Sequence, residues 1–411
     1  MKQFLILGAG TAGTMLVSRL VKKLDNKEWK ITIVEKEQNH YYQPGFLFVP
    51  FGIYKPGDTF KPNRKYIPKG VEFINSEIDS IDPGSNKVTL VKDKQVIQYD
   101  YLVIATGATI RPAETEGLMD GGWRKNIFDF YTPDGAAALG KLLENWQGGR
   151  MVVNITEMPI KCPVAPLEFI FLADWFFTRK GMRDKVELIY ATPLPGAFTK
   201  PKASEMLGNL MEKKNIKVEA DFAISDVDAS NNEIHSYDGR AIGYDLFVTT
   251  PVNMGAPVIE RSGIGDDLNF VPTDKFTLQS KNWQNVFVLG DASNIPASKA
   301  GAVAHFSVGV ALENILAHIE GKEMPGKFDG HANCFIETGF NKASLIDFNY
   351  DVEPLPGTYP LPVLGPMKLL GESVINHWGK LGFRYMYWEI LMRGWGVPLP
   401  EKLSMTGKKL D

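Results

Sequence analysis

Cysteine is nearly absent: Cys162 and Cys334 are the only two among 411 residues. Two thiols are too few for a disulfide framework. In a reducing compartment such a pair is either two unrelated core thiols or a working redox couple. An excess of one charge is also missing, with 45 basic side chains against 48 acidic ones, so there is no general nucleic-acid footprint. No uninterrupted apolar run approaches the length that crosses a bilayer. No signal peptide is expected, because Met1-Lys2-Gln3 leads directly into an apolar strand; the Asn154-Ile-Thr156 sequon therefore carries no weight. The six histidines make no metal-ligand spacing with Cys, Asp or Glu, and no Ser-His-Asp order is visible. A 44% hydrophobic and 23% charged chain is ordinary for a globular protein, with length for two or three domains.

What is present begins at once. Phe4-Leu-Ile-Leu-Gly-Ala-Gly-Thr11-Ala12-Gly13 reads as a strand running into a dinucleotide-binding turn. Gly8 permits the tight turn, Gly10 lets backbone approach a pyrophosphate, and Gly13 lets the next helix pack on the strand. The helix offers its unpaired N–H groups to the phosphates. A second strand, Ile31 to Val34, ends in Glu35, where a carboxylate suits a ribose 2′-hydroxyl and repels a 2′-phosphate. Glycines alone are a weak signal; strand, turn, helix, strand and acid together are a strong one.

The phrase Tyr99-Asp-Tyr-Leu-Val-Ile-Ala-Thr106-Gly107, a buried strand ending in a small-residue turn, is echoed at Tyr244-Asp-Leu-Phe-Val-Thr-Thr-Pro251. The echo suggests a second nucleotide-type domain over about 111–252. There, the strand Arg150 to Ile155 is followed by Thr156-Glu-Met-Pro-Ile-Lys-Cys-Pro163 rather than by a glycine turn. A second pyrophosphate is thus not expected, and an NAD(P)H site is disfavoured. Between the echoes, Val71 to Asn75 through Lys87 to Val91 reads as a β-ribbon with Asp82-Pro-Gly84 as its turn. The chain then returns to the first domain at Asn285-Val-Phe-Val-Leu-Gly290-Asp291, with a helical stretch from about Gly301 to Ile319; Asp291 suits a ribityl hydroxyl. A nucleotide domain interrupted by another is typical of FAD proteins. The reading is α/β, with two Rossmann-like domains: 1–110 with 253–325 for FAD, 111–252 without an NAD(P)H fingerprint, and 326–411 as a separate C-terminal region.

Five segments carry a resemblance over nearly the whole chain. They are His40-Tyr-Tyr-Gln43-Pro44, Pro159-Ile-Lys-Cys-Pro-Val-Ala-Pro166, Gly290-Asp-Ala-Ser-Asn-Ile-Pro-Ala-Ser-Lys299, Phe328-Asp-Gly-His-Ala-Asn-Cys-Phe335 and Tyr385-Met-Tyr-Trp-Glu-Ile-Leu-Met-Arg-Gly394. Together they resemble the sulfide:quinone oxidoreductases, and the last two resemble the two-cysteine branch that includes mitochondrial members. The resemblance implies FAD, with no flavin attachment through an upstream cysteine, since Asn126 to Tyr131 holds none. It implies sulfide, membrane quinone and a small sulfur acceptor as partners. Cys334 would be the thiolate facing the flavin and Cys162 the sulfur carrier, with the order open. By thiol–disulfide exchange, hydrosulfide opens a Cys162–Cys334 disulfide and leaves a persulfide. Glu168 is either a proton-exchanging acid or a solvated helix charge. Lys161 either lowers the neighbouring thiol or points to water. Lys299 is either a cation beside the flavin ring or a helix-start lysine. His40 falls near the flavin; His305, His331 and His377 are candidate proton relays, more readily read as structural.

From Leu364 to Trp395 aromatics and aliphatics recur at helical spacing, and residues 365–411 hold seven basic against four acidic side chains. That is the composition of amphipathic helices lying in a headgroup plane, a monotopic attachment with the cytoplasmic face favoured and the side open; the other reading is a core helical hairpin or a dimer interface. Phe335, Phe383, Tyr385 and Tyr387 are the candidates for stacking on a quinone. A homo-oligomer stays open. The other readings are a type II NADH:quinone oxidoreductase, a flavocytochrome c sulfide dehydrogenase flavin subunit, and a flavin redox sensor without turnover.

Overall fold

A computed structural model describes residues 1–361, 365–397 and 401–410. Its first sheet is parallel and five-stranded, in the spatial order Val286–Val288, Tyr101–Ile104, Lys2–Leu7, Trp29–Glu35, Val71–Asn75. Phe4 to Leu7 are fully buried, as expected for a central parallel strand covered on both faces. Each such side chain contributes roughly 1.5–3 kcal/mol of burial. Helix α1 (Thr11–Leu20) follows the turn.

The second sheet repeats the plan: Ile127–Phe128, Leu246–Thr250, Gly149–Ile155, Val186–Ala191, Ile216–Glu219, all parallel. The two echoed phrases become equivalent strands, each lying beside the first long strand of its sheet. Helix α2 (Ala165–Arg179) belongs to this half. Each half also carries a three-stranded antiparallel meander, Ile78–Asp82 to Val96–Gln98 and Ile224–Asp228 to Ala241–Gly243. The expected ribbon is therefore revised. The turn after Asp82 stands, but Val71–Asn75 pairs in parallel with Trp29–Glu35 and not with the meander.

Helix α3 (Gly301–Ile319) packs against α1. Among the described residues it is the one helix long and apolar enough to cross a membrane by length and composition, which the absence of an unbroken apolar run had not suggested. Most of it is buried inside the fold, as in a core helix. The C-terminal part begins with strands Ala332–Gly339 and Lys342–Phe348, joined by Gly357–Tyr359 and Met367–Leu369. The apolar run beyond it forms a single long helix, α4 (Val374–Glu389), and one short turn, Leu391–Arg393. Leu364, the start of that run in the sequence, lies outside the described residues. Ser373 caps α4 by accepting the Asn376 N–H at 3.0 Å.

Candidate functional site

The nucleotide turn is built by close backbone approach. A Cβ on Gly8 would lie 2.3 Å from the Ala105 carbonyl oxygen, and one on Gly13 2.0 Å from that of Gly8. Side chains are excluded at both positions. Gly10 differs: nothing lies within 4 Å of where its Cβ would stand, so its missing side chain leaves open space in a cavity of about 310 Å³. Glu35 accepts the Ala9 N–H at 2.8 Å and the Glu37 N–H at 2.9 Å, one on each oxygen. Each oxygen keeps a lone pair for a ribose hydroxyl. Thr106, on the same cavity wall, has a buried hydroxyl without a partner. An open cradle at the head of α1, a paired acid and an orphaned hydroxyl fit a dinucleotide such as FAD. Thr11, Ala12, Gln43, Pro44, Gly107, Gly290, Asp291 and Lys299 line the same cavity.

Cys162, Glu168, Lys380, Phe383 and Tyr387 line it too. Cys162 is a free thiol held at φ +47°, a left-handed conformation that a side-chain-bearing residue keeps only when its surroundings impose it. Its N–H donates to the Lys299 carbonyl at 2.6 Å; its own carbonyl accepts from the Ala165 N–H at 2.8 Å and the Tyr131 hydroxyl at 3.3 Å. Cys334, also free, lies on the Ala332–Gly339 strand opposite Ile346. Burial pushes the Cys162 thiol up to about 12, with Glu168 adding to the rise and Lys380 opposing it. Burial pushes Cys334 up as well, and charge on Cys162 is the next cause. The two sulfurs, drawn from chain positions 172 apart, thus share one electrostatic environment.

Glu168 is 1% exposed, in the first turn of α2. It accepts the Glu337 N–H at 2.7 Å and an ammonium hydrogen of Lys380. Burial raises its carboxyl above the usual range despite these partners. For Lys380, burial pulls downward, but Glu168, Cys162 and Glu337 together outweigh it and hold the ammonium charged. Lys380 also donates to the Phe335 carbonyl at 3.1 Å. In the sequence Lys380 is one of the seven basic residues of the C-terminal stretch. Its signal was position: it stands three and seven residues before Phe383 and Tyr387, on one helical face.

Several expectations change. Lys161 neither points to water nor is among the groups that shift the Cys162 thiol. It is 9% exposed and donates to Gln43 Oε1 at 3.3 Å. The Lys299 ammonium is engaged by the Asp291 and Ser293 carbonyls at 3.1 and 2.9 Å and sits 3.5 Å from the Phe270 ring centre; burial lowers it to about 8. Glu168 is no solvated charge. The four quinone candidates separate. Phe383 and Tyr387 line the cavity. Phe335 packs against Gly379 of α4 and joins a small cluster with Leu345, Tyr359 and Leu369. Cys334 packs with the main core instead, as adjacent residues of a strand face opposite ways. Tyr385 is 71% exposed on the outer face of α4. The Tyr387 hydroxyl is held by His40 Nε2 at 2.5 Å and Thr11 Oγ1 at 2.8 Å, so α4 is tied to the nucleotide turn itself.

Residues 2–145 match the family of pyridine nucleotide-disulphide oxidoreductases. The chain is 26% identical over 404 residues to the mitochondrial sulfide:quinone oxidoreductase of Mus musculus, covering 96% of this chain and 88% of that one. It is 28% identical over 400 residues to that of Dictyostelium discoideum, covering 95% and 86%. Among solved structures it is similar to the sulfide:quinone oxidoreductase of Aquifex aeolicus, with a TM-score of 0.78 at 21% identity over 96% of this chain and 92% of that one. The resemblance read from the motifs is borne out along nearly the whole length, and so are the doubled Rossmann-like fold and the assignment to the oxidoreductases.

Proposed function

We propose that this chain is a flavin-dependent sulfide:quinone oxidoreductase in which Cys162 and Cys334 are the redox-active pair. One observation carries the reading: a thiol loop, a buried acid–lysine pair and a dinucleotide cradle share one cavity wall. In this reading residues 1–110 with 253–325 hold FAD, 111–252 supply the Cys162 loop, and 326–411 supply Cys334 and the quinone side. The turn residues Gly8, Gly10 and Gly13 with Glu35 would hold the adenosine diphosphate portion, and Gln43, Thr106, Gly107 and Asp291 the remainder.

Hydrosulfide attacks one sulfur of the oxidised pair; the S–S bond breaks, leaving a persulfide on one cysteine and a thiolate on the other. Lys380 is the cation that steadies this thiolate. A small nucleophile such as sulfite, sulfide or a thiol takes the outer sulfur and frees the second cysteine. The flavin, when bound, carries two electrons from the dithiol to quinone and so restores the disulfide. Burial raises both thiols, so they hold their protons until electrons leave, and an adjacent acceptor is required. Glu168, raised above the usual carboxylate range by burial and lining the same cavity as Cys162, is the group placed to fill that role.

Helix α4 supports the membrane reading. Val374, Ile375, Trp378 and Tyr385 are all exposed and recur at helical spacing, an uncovered apolar face of α4. Laid on a bilayer, that face brings lipid-soluble quinone beside Phe383 and Lys380.

Anaerobic sulfide titration, followed at the flavin absorbance, is expected to bleach the flavin, and decylubiquinone to restore it. Cys162→Ala and Cys334→Ala are each expected to abolish bleaching by sulfide while leaving reduction by dithionite intact. Normal bleaching in either variant would refute the assignment of the pair.

A further inference from the structure

Beside the cavity lies a second pair of ionisable groups that the reaction as written does not use. Glu337, 1% exposed, receives His377 Nδ1 at 3.0 and 2.9 Å on its two oxygens. The Glu337 backbone N–H is the one that donates to Glu168. His377 lies three residues before Lys380 on α4, hence on the same side of the helix. Two buried side-chain pairs, His377 with Glu337 and Glu168 with Lys380, stand side by side, the Glu337 backbone N–H bonding one to the other and α4 carrying His377 and Lys380 one turn apart. The arrangement has an outward end. The His377 side chain is 12% exposed, against 1% for Glu337 and for Glu168, and its imidazole packs edge-on against Trp378, which is 64% exposed on the uncovered face of α4. A carboxylate buried beside another carboxylate is costly unless it is partnered, and the side-chain partner Glu337 has is the His377 imidazole.

We propose that His377 and Glu337 form the proton inlet for quinone reduction, taking protons from the membrane-facing surface to Lys380 and Glu168. The inference rests on the quinone reading above. Quinone accepts two electrons from the reduced enzyme and two protons to become quinol. Each proton leaves the Lys380 ammonium, is replaced from the Glu168–Glu337 side, and is refilled through the His377 imidazole. The other groups facing the couple are Lys380 on the same helix, Glu168 from α2, and Glu372, which accepts from Thr338 Oγ1 at 2.7 Å next to Glu337. Tyr54 lies within the field of Glu337 and of Lys380 and Arg384. None of these but His377 joins Glu337 by a side-chain hydrogen bond.

The test separates the half-reactions by stopped flow in the full holoenzyme. His377→Asn is expected to leave sulfide-driven flavin bleaching within twofold of the parent, while Glu337→Gln, which also loosens the hold on the Lys380 charge, is read by reoxidation alone. Both are expected to slow reoxidation by decylubiquinone at least tenfold, with the loss growing from pH 6 to pH 9 as free protons become scarce. In His377→Ala, added imidazole is expected to restore most of the reoxidation rate, which a purely structural role would not allow. Reoxidation unchanged across that range, or a pH-independent loss that imidazole does not repair, would overturn the proposal. If sulfide fails to bleach the parent enzyme, the sulfide reading falls instead; reoxidation of dithionite-reduced enzyme by quinone still decides the inlet.

Discussion

Lys380 and Glu168 are worth most as a pair. Each is buried against the other, and breaking a buried ion pair leaves one uncompensated charge, a cost of about 3–5 kcal/mol. Lys380→Met alone is therefore expected to lower the urea midpoint sharply, and Glu168→Gln added to it to recover most of the loss. A double-mutant cycle on unfolding free energy measures this; additive single effects would show the two side chains to be independent. Function should not recover with stability. Without the ammonium, only the Ala165 N–H still opposes the upward push of burial on Cys162, and bleaching by sulfide is expected to fall by about two orders of magnitude in both variants, the size of a lost charge-stabilising donor.

Helix α4 is an element with two faces and two different sensitivities. Its inner face is locked to the nucleotide turn through Tyr387, whose hydroxyl donates to His40 Nε2 because His40 Nδ1–H is committed to the Ala9 carbonyl at 2.9 Å. That geometry needs a neutral imidazole, and burial lowers His40 to about 4. The folded state then binds fewer protons than the unfolded chain between about pH 6.5 and 4. Stability contributed by the neutral ring is complete above that window and falls by up to about 3 kcal/mol as the pH drops through it. His305, lowered by burial to about 4 as well, adds a similar slope, so His40→Asn is expected to remove about half of the acid sensitivity in equilibrium unfolding. An unchanged slope would place the acid sensitivity elsewhere. The outer face predicts the opposite pattern. Trp378→Glu, at an exposed site, is expected to cost under 0.5 kcal/mol of stability yet to abolish co-flotation with anionic vesicles. The sequence announced this helix by its 3.6-residue period but not its number or its start, because Met367–Leu369 shares the same apolar composition and is claimed by strand pairing. Tyr385 and Tyr387 show the same limit: two positions apart in sequence, they fall on opposite sides of one helix.

At the scale of the molecule, two copies of one plan have been put to different uses, and the length of a single connection tells them apart. Three residues, 8–10, separate the Lys2–Leu7 strand from α1; nine, 156–164, separate Gly149–Ile155 from α2. The short connection leaves the helix N-terminus open to a pyrophosphate. The long one folds away from its own sheet: Cys162 bonds to the Lys299 carbonyl and Lys161 reaches Gln43, both in segments that line the first cavity. At the strand end it leaves, Thr156 and Thr249 share hydrogen bonds with buried Asn154, filling with side chains the place where a glycine turn would admit a phosphate. The missing glycines were legible in the sequence. The destination of the loop was not, since Cys162, Lys299 and Gln43 meet only through tertiary packing. NADH and NADPH at millimolar concentration are accordingly expected to leave the flavin oxidised under anaerobic conditions, where sulfide bleaches it within seconds. Rapid bleaching by NADH would mean that this second half still binds a nucleotide despite its closed strand end, and would return the type II NADH:quinone reading to first place.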